Sequence, residues 1–443
     1  MKVAFYTLGC KVNQYETNSM IRQFENNGYT IVSFDEVSDI YIINTCTVTN
    51  MSDRKSRQMI QKAKKNNENS IIVAVGCLAQ VGKEDLAKIA EIDLILGNEE
   101  KKNIVQYVEK YLQDRNENMF VEDIMKQGEY SKDYMATTYE NTRAVVKVQD
   151  GCNNYCTYCI IPYARGKVRS KPLEEVIEEV KNIANNGYKE IVITGIHICS
   201  YGRDLEDVKF IDLLEKLNEI EGIDRIRLGS LEPKEITNVF LDRLIKLKKV
   251  CPHFHLSLQS GCTETLKRMN RKYTTEDIKE VVDNIRKRYE NANITTDIIV
   301  GFPGETEDEF NKTVEFLKML KLNKMHIFQY SRRKGTVADK MENQISPEIK
   351  KERSNILLGL SDLNEKNYLS EYIGKEVEVL IEKCENDVSY GYTNNYIYTR
   401  IEQEFAVNTI ANFKVIKIEK NIMFCEWFEK KQKMWYNSQA LKK

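Results

Sequence analysis

Two successive series of short apolar, β-branched runs alternating with helix-forming stretches constrain this chain more than any other feature. In the first, Val3–Leu8, Ile40–Thr45, Ile71–Val75 and Ile92–Leu96 alternate with helical patterns that include Gln14–Asn26, Ser52–Lys65 and Lys101–Leu112. Such alternation predicts a parallel, doubly wound sheet, because each parallel pair needs a crossover of helix length. The second series has candidate strands at Ala144–Gln149, Glu190–Thr194, Arg225–Gly229, Phe254–Gln259, Thr295–Val300 and Met325–Tyr330, with helical runs such as Pro172–Asn186 and Glu307–Leu320 between them. Six βα units suit an incomplete (β/α)6 barrel.

Between the series, Gln113–Asn141 is polar and keeps no period, so it reads as a linker. After a helical run from Pro347 to Leu369 come short alternating strands, Glu376–Glu382, Tyr396–Ile401, Thr409–Ile418 and Ile422–Phe428. These predict a small β-barrel of the OB-like kind. The expected fold class is α/β, divided into an N-terminal domain at 1–115, a linker at 116–140, a barrel at 141–370, a small β-barrel at 371–437 and a basic tail at 438–443. Lys430 to Lys443 carry five lysines and no acid, which reads as a solvated, frayed end.

With 66 basic and 67 acidic residues the net charge is -1, so any nucleic-acid contact must use local patches. No run approaches the ~20 consecutive apolar residues of a membrane span. The start, MKVAFYTLGC, lacks the pattern of an export signal. A cytoplasmic, monomeric protein with no membrane partner is the default expectation.

Eleven cysteines in a chain of 443 residues without an export signal point to metal binding or catalysis rather than to a disulfide framework. Cys199, Cys251, Cys262, Cys384 and Cys425 read as small buried hydrophobes. Cys152, Cys156 and Cys159 stand in a CxxxCxxC spacing directly after the first barrel strand. Four thiolates usually hold a four-iron cubane, so three leave one iron open to a substrate. In a (β/α) barrel this loop emerges at the strands' carboxyl ends, the catalytic face. The alternative is a structural zinc site, which needs a fourth Cys or His that the local sequence lacks.

Cys10, Cys46 and Cys77 form a second set, each just past the carboxyl end of a predicted strand. Parallel strands share that edge, and ligands bind in the crevice there, so the three are predicted to converge. Gly9 and Gly76 permit tight turns beside two of them. The neighbouring Asn13, Gln14 and Asn44 read either as supports for the ligands or as helix caps. Three independently buried cysteines remain the alternative.

The CxxxCxxC loop at a barrel mouth resembles the radical S-adenosylmethionine superfamily, in which the open iron chelates the cofactor's methionine end. That resemblance implies cofactor contacts at three further strand ends. Gly301, Gly304 and Glu305 match the second half of a GxIxGxxGE pattern said to line the adenine, with Asp297 in place of its first glycine. Thr194, Gly195 and His197, and Ser257 and Gln259, suit the methionine and ribose ends. Taken with Thr7-Leu-Gly-Cys-Lys-Val-Asn-Gln-Tyr-Glu16, Ile161-Pro-Tyr-Ala-Arg-Gly166 and the terminal β-barrel, the whole chain resembles the methylthiotransferases. The resemblance implies S-adenosylmethionine, two [4Fe–4S] clusters, an auxiliary-cluster domain, and a TRAM domain that engages substrate. It also implies an external electron donor and a sulfur source.

The same motifs look most like the branch acting on threonylcarbamoyladenosine in tRNA. The runner-up acts on isopentenyladenosine in tRNA, and a third branch modifies an aspartate of a ribosomal protein. Three basic runs suit an RNA partner: Arg165, Lys167, Arg169 and Lys171; Lys267, Arg268, Arg271 and Lys272; and Arg332, Arg333 and Lys334. Glu371–Lys443 holds eleven basic and eleven acidic residues, so there only the aromatic stretch with Tyr392 and Tyr396 suggests base contact. The chain departs from the family pattern at Gln329 and Val337, where proline is expected, and at Cys199.

Overall fold

The computed structural model describes residues 1–130 and 142–428. The basic tail lies outside the described residues. Residues Met1–Asn364 form one compact unit and Glu365–Lys443 a second.

The first sheet is built from β1 (Lys2–Thr7), β2 (Thr30–Val32), β3 (Ile40–Thr45), β4 (Ile71–Gly76), β5 (Leu94–Leu96) and β6 (Met119–Phe120). Its order is β2-β1-β3-β4-β5-β6, with every pair parallel. Residues of β3 and β4 are buried throughout, as a sheet covered by helices on both faces requires. The expected linker is corrected in its first part: Phe120 O accepts from Gly97 N at 2.9 Å, and β6 extends the sheet. Met119 and Phe120 supply too short an apolar run for the sequence to mark a strand. Residues 131–141 of that stretch lie outside the described residues.

The barrel strands are β7 (Arg143–Asp150), β8 (Arg169–Ser170), β9 (Glu190–Gly195), β10 (Arg225–Leu228), β11 (His253–Gln259), β12 (Asn293–Val300) and β13 (Lys324–Gln329). They form two arcs, β10-β9-β7-β8 and β11-β12-β13, joined by an isolated parallel bridge between Leu231 and Leu256. The six expected strands are parallel, while β8 is a short antiparallel addition at the edge. Alternation sets the two faces. Phe254, Leu256, Leu258, Ile294, Ile298 and Met325 join one outer core under the helices. Their neighbours along the strands, such as His255, Thr295 and Asp297, face the opposite way, into the barrel.

The second unit carries β14 (Glu376–Glu385), β15 (Val388–Thr393), β16 (Tyr398–Ile401), β17 (Ile410–Glu419) and β18 (Ile422–Trp427), closed in the order β14-β15-β16-β18-β17. Its core includes Val379, Ile381, Ile401, Phe413, Val415 and Met423. β15 was not expected. Gly391 breaks its β-forming pattern, and the structure uses that glycine for close packing, since a Cβ there would overlap Leu380 O.

Candidate active site

Register brings Cys10, Cys46 and Cys77 to one edge. Thr7 pairs with Asn44 across β1 and β3, and Thr45 with Gly76 across β3 and β4, so Cys46 and Cys77 leave adjacent strand ends and Cys10 follows three residues beyond Thr7. Gly9 and Gly76 both hold φ +99°. A Cβ on Gly9 would stand 2.9 Å from Cys46 Sγ, and one on Gly76 would stand 2.6 Å from Asn44 Oδ1. Both positions therefore demand glycine for conformation and for space. Asn13 Nδ2 donates to Leu8 O at 2.6 Å and to Thr45 O at 3.1 Å, tying the Cys10 turn to the Cys46 turn. Burial pushes the Cys10 and Cys46 thiols up, and the charge of Cys77 adds to both shifts.

Arg165 carries this edge to the barrel. It lies in the short helix Ile161–Arg165, just beyond the CxxxCxxC loop, and is fully buried. Its Nε donates to Cys77 Sγ at 3.2 Å, Nη2 to Asn13 Oδ1 at 2.6 Å and Glu16 Oε2 at 3.0 Å, and Nη1 to Glu16 Oε1 and to Asp150 Oδ2, the latter at 3.3 Å. Lys101 and Lys147 complete the ring around Glu16 at 2.6 and 2.9 Å. Burial alone would raise the Glu16 carboxyl, but Arg165, Lys101 and Lys147 outweigh it and hold it well below the ordinary range. Asp150 is likewise pushed up by burial, yet Lys147, Arg165 and Arg169 bring it down to about 2.

On the other flank, Arg333 follows β13 and pairs with Asp53 of the first domain, and Asn50 N donates to Ser331 Oγ at 3.1 Å. The first domain is thus fastened beyond both β7 and β13, the two ends of the incomplete barrel. Lys11, next to Cys10, also approaches the barrel's inward face, where burial first, and then the charges of Arg227, His255 and Lys11, hold His253 well below its ordinary range.

The CxxxCxxC set, Cys152, Cys156 and Cys159, leaves β7 as expected, with Cys159 N donating to Cys156 O at 2.9 Å. Burial pushes Cys152 up to about 11 and Cys159 up to about 12. Arg271 Nη1 donates to Cys156 Sγ at 3.2 Å, while its Nη2 grips both oxygens of Glu232 at 2.7 and 2.8 Å and Ser257 O at 2.8 Å. Glu232 also lies 3.6 Å from His197 Nε2. His197 N in turn donates to Gln149 Oε1 at 2.7 Å. This chain of contacts joins Cys156, Ser257 and His197 at one mouth. Glu232 was missed by sequence reading and Arg271 was taken for a phosphate contact. The only local signal was a carboxylate before a proline at a strand end, Leu231-Glu232-Pro233.

The other expected cofactor residues divide. Thr194 and Gly195 end β9, and Gly195 is packed against Gln149, 2.9 Å from where its Cβ would stand. Gln259 ends β11 with φ 71°, beside a register shift, so the strand end is bent at that point. The glycine turn differs from expectation. Glu305 Oε2 accepts from Gly301 N and from Arg353 Nη1, each at 2.7 Å, so its carboxylate closes the turn from within. A Cβ on Gly301 would overlap Lys350, and Gly304 faces Arg268.

The RNA expectation is corrected for three arginines. Arg165 and Arg169 are buried at 0% and 3% exposure around Asp150 and Glu16, and Arg333 is buried against Asp53, so none of them is presented to solvent. Arg332 is exposed and bonded to Asp339. In the second unit Tyr392 stacks on Tyr396 at 4.7 Å and contacts Tyr398 at 5.1 Å, Tyr398 stacks on Tyr390 at 6.0 Å, and Arg400 covers Tyr390 at 5.8 Å. An exposed pair, Tyr155 within the CxxxCxxC loop and Tyr163 beyond it, meets edge to face at 6.2 Å.

Among the described residues no group of three His, Cys, Asp or Glu side chains is placed to hold one metal ion. Sulfurs on a single zinc all lie ~2.3 Å from it, whereas cubane ligands each take a different iron and stand farther apart. No helix among the described residues is long and apolar enough to cross a membrane.

The fold and the comparisons with known proteins together place the chain among the radical S-adenosylmethionine enzymes. The radical SAM superfamily matches residues 146–317, and the uncharacterized protein family UPF0004 matches residues 2–97. Among solved structures, the radical S-adenosylmethionine methyltransferase TsrM from Kitasatospora setae superposes with a TM-score of 0.57 at 13% identity, covering 76% of this chain and 77% of that one, a likeness of fold alone. The threonylcarbamoyladenosine tRNA methylthiotransferase MtaB of Aquifex aeolicus (strain VF5) is 44% identical over 90% of this chain and 96% of its own length. MtaB of Bacillus subtilis (strain 168) is 40% identical over 94% of each. The tRNA-2-methylthio-N(6)-dimethylallyladenosine synthase of Alkaliphilus oremlandii (strain OhILAs) is 35% identical over 94% of this chain and 90% of its own. The chain belongs to the radical S-adenosylmethionine methylthiotransferase family, whose cofactors are S-adenosylmethionine and [4Fe–4S] clusters.

Proposed function

We propose that this chain converts N6-threonylcarbamoyladenosine in tRNA to its 2-methylthio derivative. Cys152, Cys156 and Cys159 hold the radical cluster, and Cys10, Cys46 and Cys77 hold an auxiliary one. The observation that carries the reading is Arg165, which leaves the radical loop and reaches Cys77 Sγ at 3.2 Å, so both cysteine sets border one junction.

Several features support a fit to two clusters. Each set offers three soft thiol donors, burial and mutual repulsion disfavour uncompensated thiolates at Cys10, Cys46, Cys152 and Cys159, and N–H donors point at sulfurs of both sets. When bound, the radical cluster and S-adenosylmethionine supply a carbon-centred radical and a methyl group, and the auxiliary cluster presents sulfur. The protein's own part is placement. Arg271 fixes Cys156 and Glu232 in one geometry, and Glu232 and His197 give the mouth its polar side. The ion pairs at Glu16 and Asp53 fasten the first domain across the barrel's ends.

The row Tyr396, Tyr392, Tyr398 and Tyr390, with Arg400 over its end, suits stacking of unpaired bases. An external electron donor and a sulfur source complete the chemistry. Nucleoside mass spectrometry of tRNA from cells with and without the gene tests the proposal. The 2-methylthio form of threonylcarbamoyladenosine should vanish on deletion; loss of the isopentenyl derivative instead would move the chain to the branch of the 35% identical synthase. Unchanged tRNA would turn attention to a protein substrate.

A further inference from the structure

Cys77 differs from the other five cysteines in the charge gathered behind it. Arg165 Nε donates to its sulfur at 3.2 Å, and Asn98 Nδ2 approaches the same sulfur at 3.8 Å while donating to Ala164 O at 2.7 Å. Both donors are thus tied to the helix Ile161–Arg165, which leaves the radical loop. Behind them, Lys101, Lys147, Arg165 and Arg169 gather around Glu16 and Asp150 at ion-pair distance. The Arg165 guanidinium is fully buried, so its charge acts in a region shielded from solvent. Coulomb energies are weakly screened there, and the potential of an iron–sulfur cluster follows hydrogen bonds to its sulfurs and the net charge around it.

We propose that Arg165 is a positioning residue that tunes the auxiliary centre: by donating to Cys77 Sγ with a buried, charged guanidinium, it favours the reduced, more negative form of the cluster held there. It does so from the segment that follows the radical triad, so the electronic state of one centre depends on the docking of the other's loop. This rests on the proposal that Cys10, Cys46 and Cys77 ligate a cluster. It concerns only the one-electron reduction of that cluster by an external low-potential reductant such as dithionite, with no bond made or broken.

The experiment uses the full chain carrying Cys152→Ala, Cys156→Ala and Cys159→Ala, reconstituted anaerobically so that the auxiliary cluster alone remains. Its midpoint potential is followed by electron paramagnetic resonance. Arg165→Gln should move the potential to more negative values, and Arg165→Lys, which keeps the charge but loses the Nε geometry, should move it less. Glu16→Gln removes a facing negative charge and should move it the opposite way. An unchanged potential in Arg165→Gln with iron retained overturns the proposal. If Arg165→Gln does not retain iron, Glu16→Gln decides, and a potential there that is unchanged or more negative overturns it equally. A parent protein that binds no iron defeats the ligand assignment itself, a result distinct from either.

Discussion

Replacing Gly9 by alanine should remove one cluster while leaving the chain folded. Gly9 sits at φ +99°, and its new Cβ would lie 2.9 Å from both Cβ and Sγ of Cys46, with Asn13 Nδ2 at 3.2 Å. A residue with a Cβ pays about 1–2 kcal/mol for left-handed backbone, and overpacking adds about 1–3 kcal/mol. Their sum, about 2–5 kcal/mol, falls short of the upper part of the range of about 5–15 kcal/mol for a folded domain. The cheaper relief is for Cys46 to move away, which pulls its sulfur out of line with Cys10 and Cys77. Iron in the anaerobically reconstituted protein should therefore fall from about eight to about four per chain, while cleavage of S-adenosylmethionine to deoxyadenosine continues and methylthiolation stops. Gly28→Ala is the control, because Gly28 has φ +79° and nothing within 4 Å of its Cβ position. It bears the conformational cost without the collision and should keep its iron. Full iron and full methylthiolation in Gly9→Ala, or equal iron loss in Gly28→Ala, would refute the steric argument.

Arg271→Met should destabilise the chain by about 3–5 kcal/mol, since it strands the buried Glu232 carboxylate; denaturant unfolding measures this, and adding Glu232→Gln should recover part of the loss. Arg271→Lys should rescue poorly, because an ammonium cannot span Cys156, Glu232 and Ser257 as the guanidinium does. Asp150 contributes stability with a defined acid limit: its folded value of about 2 lies below the ordinary 3.8, so the contribution is full above pH ~4 and is lost as pH falls toward ~2. At about 1.4 kcal/mol per unit this amounts to about 2 kcal/mol, and Asp150→Asn should show a correspondingly smaller drop in urea midpoint between those pH values than the parent protein. Tyr392→Ala should weaken binding of an anticodon stem-loop by about 1–3 kcal/mol without altering the slope of affinity against salt, since stacking releases no counterions; an unchanged affinity would remove the tyrosine row from the interface.

The strands were legible because period and residue type agree in them: Ile40–Thr45 is apolar enough to be buried on both faces, and the sequence marks its ends within a residue. β15 and β6 escaped for opposite reasons, one because Gly391 interrupts it and the other because two residues carry no period. The convergence of Cys10, Cys46 and Cys77 follows from parallel topology alone, which local reading supplies. The basic run Arg165 to Lys171 misled, because charge along a sequence says nothing of the partner that arrives from far away. Glu16 lies 149 positions before Arg165, and Glu179 buries Lys171. Glu232 and Arg271 are likewise separated by 39 positions and meet only once the two arcs of the barrel are formed.

The terminal barrel has one property whose reach extends beyond catalysis. Its ladder returns on itself through the pairing of β14 with β17, so every strand has two neighbours. A ring of this kind offers no dangling amide or carbonyl row to a passing extended peptide, and fibril-like recruitment finds no template there. Whatever attaches to that module must do so through side chains on its outside.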